Sequence, residues 1–89
     1  MAWKIELDPL ADKELKKLDK QIAKRILSFL FSRLATLEDP RTLGSSLQGA
    51  KLNNYWKYRV GDYRIISNID DSEIKILVIK IGNRKEVYR

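Results

Sequence analysis

Apolar and charged residues alternate at the start of the chain. Trp3, Ile5 and Leu7 are separated by Lys4 and Glu6, the period-two pattern of a strand with one buried face. Asp8-Pro9 ends the alternation and suits a helix start: the Asp8 carboxylate can accept free N–H groups and Pro9 fits the first helical position. Ala11, Leu15 and Leu18 then recur at helical spacing, with Lys13, Lys16 and Lys17 pointing elsewhere. A break at Asp19 leads into a second predicted helix from about Lys20 to Leu37. Its apolar residues, Ile22, Ile26, Leu27, Phe29, Leu30, Phe31, Leu34 and Leu37, cover an arc of roughly 200°, wider than a one-sided stripe. Such a helix is expected to touch both the first helix and a sheet. An apolar edge left exposed there could be covered by a partner protein.

Residues 38–54 hold Asp39-Pro40, Gly44-Ser45-Ser46, Gly49 and Asn53-Asn54, all turn formers, and read as an irregular connection. Alternation then resumes, with Trp56, Tyr58 and Val60 set against Tyr55, Lys57 and Arg59. Gly61-Asp62 follows, and Tyr63, Ile65 and Ile69 continue on the far side, which is a two-residue hairpin signal. Asp70-Asp71-Ser72 makes the next turn. Ile74 to Ile81 is a long β-branched strand that Gly82 is expected to end. The predicted class is α+β: a first strand, then two helices packed on one face of a largely antiparallel four-stranded sheet, in a single domain over residues 1–89.

The hairpin sets a register. With Gly61-Asp62 as the loop, Val60 faces Tyr63, Arg59 faces Arg64, Tyr58 faces Ile65 and Lys57 faces Ile66. Tyr58, Val60, Tyr63 and Ile65 share the core face, and Lys57, Arg59 and Arg64 share the other. Like charges directly opposite each other destabilise a strand pair by some tenths of a kcal/mol. A face selected for stability alone would place a carboxylate opposite Arg59, although screened arginines also tolerate one another.

Composition narrows the chemistry. Neither cysteine nor histidine occurs, which excludes disulfides and thiolate chemistry and removes the commonest metal ligand and neutral-pH acid–base group. The first residues lack the continuous apolar stretch of a signal peptide, and no run is long enough to span a bilayer, so a cytoplasmic protein is expected. Lys and Arg number 18 against 12 Asp and Glu, a net charge of +6 that serves solubility or attracts RNA, DNA or an acidic protein. The first fifty residues hold nine basic and seven acidic side chains; the remainder hold nine and five, so the excess lies toward the C-terminus. Arg84, Lys85 and Arg89 cluster there beside Val87-Tyr88. Cations interleaved with rings suit RNA, neutralising phosphates and stacking on unpaired bases.

Trp56-Lys57-Tyr58-Arg59-Val60, Gly61-Asp62-Tyr63-Arg64-Ile65-Ile66 and Gly82-Asn83-Arg84 with Val87-Tyr88-Arg89 together resemble the RelE toxins. Leu47-Gln48-Gly49 and the opening strand–Asp–Pro–helix extend the resemblance over nearly the whole chain. It implies a RelE-like, microbial-RNase-type fold and a ribosome-dependent endonuclease that cuts mRNA in the A site of the small ribosomal subunit. It also implies inhibition of translation and a cognate, RelB-like antitoxin of a type II toxin–antitoxin system, with no cofactor and no metal. Carried over by position, the family's catalytic residues fall on Lys57, Arg64, Arg84 and Tyr88; Lys51, Tyr55, Arg59, Lys85 and Arg89 are the accompanying RNA-binding candidates. Many relatives have histidine where this chain has Asn83, and some carry basic residues at Gln48 and Tyr55. The C-terminal helix of some relatives has no counterpart before Arg89.

The implied chemistry is self-consistent. Metal-free RNA cleavage drives a 2′-OH onto the adjacent phosphorus, leaving a cyclic phosphate and a 5′-OH. Negative charge grows on the non-bridging oxygens, where permanently charged, planar guanidiniums such as Arg64 and Arg84 stabilise the transition state. Without histidine, proton handling falls to Tyr88 and Lys57, residue types with ordinary pKa values near 10. Such weak acid–base groups suit an enzyme whose substrate the ribosome orients. A ParE-like inhibitor of DNA gyrase shares the scaffold without needing nuclease residues, and a non-catalytic RNA-binding module is a further alternative. A metal nuclease ranks last, because Asp70, Asp71 and Glu73 read as turn formers.

Overall fold

A computed structural model describes residues 2–47 and 55–83. Strand β1 (Lys4–Leu7) leads into helix α1 (Pro9–Lys16) and helix α2 (Lys20–Ser28). Asp8 caps α1 by accepting from Leu10 N at 2.9 Å, with Pro9 at its first position, and Asp19 caps α2 through Gln21 N at 3.1 Å. The helical run goes on past α2 in another geometry, a π turn (Phe29–Arg33) followed by a 3₁₀ turn (Leu34–Thr36). Ile26, Leu30 and Leu34, all fully buried, explain the change. Residues spaced by four drift about 40° per step in an α-helix of 3.6 residues per turn. The wider π turn takes up that drift and keeps all three on the sheet. Phe31, at the edge of the predicted arc, is half exposed. Among the described residues no helix is long and apolar enough to cross a membrane.

The sheet has five strands in the order β1-β5-β4-β3-β2, with β1 parallel to β5 and the other neighbours antiparallel. The expected count of four omitted β2 (Ser45–Ser46), which pairs with β3 (Tyr55–Val60) inside the stretch read as an irregular connection. Two residues carry no period-two signal. What holds this stretch are side chains of β3: Trp56 Nε1 donates to the Leu43 carbonyl at 2.6 Å and the Tyr58 hydroxyl to the Pro40 carbonyl at 2.7 Å.

Strands β4 (Tyr63–Asp70) and β5 (Lys75–Asn83) complete the sheet. Gly82 does not end β5; it sits inside the strand opposite Arg64, and Asn83 continues the pairing opposite Tyr63. The register also slips: Ser67 faces Val78 while Ile66 faces Lys80, so Ile79 is an extra residue, a β-bulge. The bulge lets Ile76, Val78 and Ile81 all enter the core, which strict alternation forbids. Beyond the β1 pairing, which ends at Val78, Glu14 of α1 accepts from Ile81 N at 3.0 Å. Trp3, Ala11, Leu15, Tyr58, Ile65 and Ile69 fill the rest of the core between helices and sheet. In the turn before β5, Ile74 takes φ +52°, a conformation rare for a β-branched residue, and its carbonyl accepts from Lys4 N where β1 begins.

Candidate functional site

The site is built on the β3–β4 hairpin. Gly61 alone of the two loop residues has positive φ (+59°), as a type II′ turn requires, and the loop matches the right-handed twist of the strands. The register is the expected one: Val60 opposite Tyr63, Arg59 opposite Arg64, Tyr58 opposite Ile65 and Lys57 opposite Ile66. Tyr58 and Ile65 are buried under the helices. Lys57, Arg59 and Arg64 therefore lie on the face turned away from the core.

There they line a cleft of about 250 Å³ with Gly44, Ser45 and Tyr58. Ser45 reaches Lys57 by strand pairing. Gly44 makes that approach possible: its φ is +70°, and a β-carbon at this position would overlap the Lys57 carbonyl. The Arg59 guanidinium folds back on its own turn, with Nε donating to the Gly61 carbonyl at 3.1 Å, and remains exposed. Arg64 is half-buried, its Nε shielded from solvent. Tyr55 lies two residues before Lys57, opposite Asn68, and is not a wall of the cleft.

Of the sequence-predicted residues, the structure thus gathers Lys57, Arg59 and Arg64. Lys51, Arg84, Lys85, Tyr88 and Arg89 lie outside the described residues, as do Gln48 and Gly49. The last described pairs, Arg64 with Gly82 and Tyr63 with Asn83, run beside the arginine of the hairpin. Sequence reasoning missed Gly44 and Ser45, read only as turn formers. It also missed Lys80, which shares a row with Ile66 and Lys57 across the sheet and approaches the Glu14 carboxylate at 3.8 Å.

Tyr58 shows why not every phenol near the cleft is a proton carrier. Burial pushes its pKa far above the ordinary range, so it stays protonated and donates to Pro40. The acids read as turn formers are occupied as such. Asp70 accepts from Ser72 Oγ, Ser72 N and Glu73 N, and Asp71 takes both terminal nitrogens of Arg41, at 3.0 and 2.8 Å. What the cleft offers is fixed positive charge around a small concavity, suited to a phosphodiester.

Residues 5–88 match the family model described as the ParE toxin of the type II toxin–antitoxin system parDE. Over 87 residues, 98% of this chain and 87% of the relative, the sequence is 31% identical to Toxin RelE of Mycobacterium tuberculosis. It is 30% identical over 90 residues to the mRNA interferase toxin RelE of Escherichia coli, covering 99% of this chain and 92% of that protein. The fold superposes with a TM-score of 0.84 on a chain of the toxin–antitoxin complex RelBE2 of Mycobacterium tuberculosis, at 23% identity over 97% of this chain and 95% of the other.

Proposed function

The chain belongs to the RelE/ParE family of type II toxin–antitoxin toxins, and from that premise we propose that it is an mRNA endoribonuclease acting in the ribosomal A site, held in check by a RelB-like antitoxin. The observation that carries this reading is the convergence of Lys57, Arg59 and Arg64 on one cleft of the outer sheet face. In the proposed reaction the 2′-oxygen bonds to phosphorus as the bond from phosphorus to the 5′-oxygen breaks. A base takes the 2′-OH proton, and an acid returns a proton to the leaving 5′-oxygen. Arg64 and Arg84 stabilise the charge gathering on the phosphoryl oxygens. Lys57 and Tyr88 divide the proton transfers, and Lys51, Tyr55, Arg59, Lys85 and Arg89 hold the RNA. No step draws on a metal. An antitoxin with an amphipathic helix and an acidic segment would cover Phe31 and the cationic face together.

The match to the ParE model supports a second reading, inhibition of DNA gyrase. One experiment separates the two: in-vitro translation with mapping of mRNA 5′ ends, run beside a gyrase cleavage assay. Cuts within A-site codons, ending in 5′-OH and insensitive to EDTA at levels that leave ribosomes intact, are expected. Intact mRNA with gyrase-linked DNA breaks would select the second reading.

A further inference from the structure

The cations do not stop at the cleft. Gly44, Tyr58 and Arg59 also wall a depression of about 210 Å³ that continues to Phe29 and Arg33. Phe29 and Arg33 in turn wall a groove of about 670 Å³ along the helical run, which also carries Lys24, Arg25 and Val60. Because the three concavities share walls, one open track leads from Lys57 and Arg64, over the edge of β3 at Arg59, to Arg33, Arg25 and Lys24. Among the described residues no carboxylate lines any of the three; Asp62 borders Arg25 in a separate pocket at the hairpin turn.

Lys24, Arg25 and Arg33 are exposed and outside the ion pairs of the described residues. Lys16, Arg41 and Lys75, by contrast, are held by carboxylates on other parts of the surface. Ser28 and Ser32 add hydroxyls among the groove cations, and the π turn Phe29–Arg33 forms part of the wall. π turns within helices recur at functional surfaces.

We propose that this track binds the RNA strand beyond the nucleotides at the cleft, its phosphates passing Arg59 to reach Arg33, Arg25 and Lys24. The proposal rests on the ribonuclease reading and extends it to the substrate's flanking nucleotides. A flexible single strand can turn from the sheet face over a strand edge onto a helix, whereas a straight amphipathic helix cannot. Among the described residues the apolar walls of the α2 groove are Phe29 and Val60, too few for the apolar stripe of such a helix.

The test measures binding of a short and a long 2′-O-methyl oligouridylate (about four and about twelve nucleotides), whose blocked 2′-oxygens prevent cleavage. The wild type is expected to bind the long probe more tightly than the short one. The double variant Arg25→Ala/Arg33→Ala, altered only at exposed positions, is expected to lose that gain. Its long-probe affinity falls about tenfold at low salt, and its salt slope becomes shallower by about 1.4, two contacts at about 0.7 each for a single strand. Short-probe affinity stays at the wild-type value. Equal affinity of variant and wild type for the long probe, or an equal loss with both probes, overturns the proposal. So does a variant that loses only antitoxin binding, which assigns the groove to an acidic protein. Cleavage on programmed ribosomes, measured in parallel for wild type and Arg64→Ala, separates the two levels. Arg64-dependent cleavage with unchanged long-probe binding overturns the track alone, whereas a wild type that cuts no mRNA overturns the ribonuclease reading with it.

Discussion

Arg59 and Arg64 stand directly opposite each other yet are held differently, and the roles proposed for them are consistent with that. Arg59 is exposed and, among the described residues, anchored only to its own turn, so it can follow a phosphate but cannot fix one. Arg64 is half-buried, where preorganised charge acts most strongly on a transition state. Arg59→Ala is therefore expected to weaken association, and less so at low salt, while Arg64→Ala lowers the single-turnover rate itself. Tyr88→Phe keeps a ring that can stack but removes the proton-bearing oxygen. Loss of a proton carrier lowers the single-turnover rate by roughly 10²–10⁴ with binding nearly unchanged. A wild-type rate for this variant would transfer the proton role to Lys57. Gly44→Ala tests the cleft wall from the other side. The left-handed backbone alone costs an alanine about 1–2 kcal/mol, and the overlap with the Lys57 carbonyl adds to it. A lowered melting temperature together with slower cleavage is the expected pair of results; unchanged cleavage would mean that β2 is not needed beside Lys57.

Single elements show how charge can be structural here as well as functional. Glu14 accepts from Ile81 N just after the bulge, so Glu14→Ala strands a backbone donor. The cost is about 1–3 kcal/mol, which Glu14→Gln largely restores because the amide keeps an acceptor oxygen. Thermal melts of the two variants check this. In the turn between β4 and β5, the hydrogen bond from Arg41 lowers the pKa of Asp71 below its usual 3.8. A depressed folded pKa means that this contribution is complete above the unfolded value and fades as pH falls through the folded one. The stability gap between wild type and Asp71→Asn, measured by urea unfolding, is thus expected to be constant near neutrality and to close in acid. Neither contact was legible in the sequence, because each joins residues far apart in the chain. Alternation, caps and the Gly61-Asp62 loop are local signals, and they yielded β1, both helix starts and the full hairpin register. The two-residue β2 and the bulge at Ile79 left no local trace, being fixed by Trp56 and Tyr58 in one case and by core demand in the other. The same divide runs through the site. Lys57, Arg59 and Arg64 were readable from one hairpin, whereas Gly44, Ser45 and the α2 cations meet them only through the tertiary fold.

Across the whole molecule the cations divide into two populations that respond differently to salt. Lys16, Arg41 and Lys75 face carboxylates in exposed ion pairs, which contribute little to stability and are partly screened already. Stability rests instead on the apolar core, which salt at moderate concentration hardly changes. Lys24, Arg25, Arg33 and Arg59 belong to no ion pair among the described residues, and they border concavities suited to a polyanion. If four such cations each displace a counterion from single-stranded RNA, a fourfold rise in salt weakens binding by roughly 50-fold. Measuring affinity for a long 2′-O-methyl oligonucleotide and the melting temperature over the same salt series compares the two populations directly. Affinity is expected to fall along a straight line in log–log coordinates, while the melting temperature moves by no more than a few degrees. A melting temperature that drops in step with affinity would place these cations in the folding of the domain. Affinity that ignores salt would mean that RNA meets a different face of the molecule, held by stacking or apolar contact in place of phosphate neutralisation.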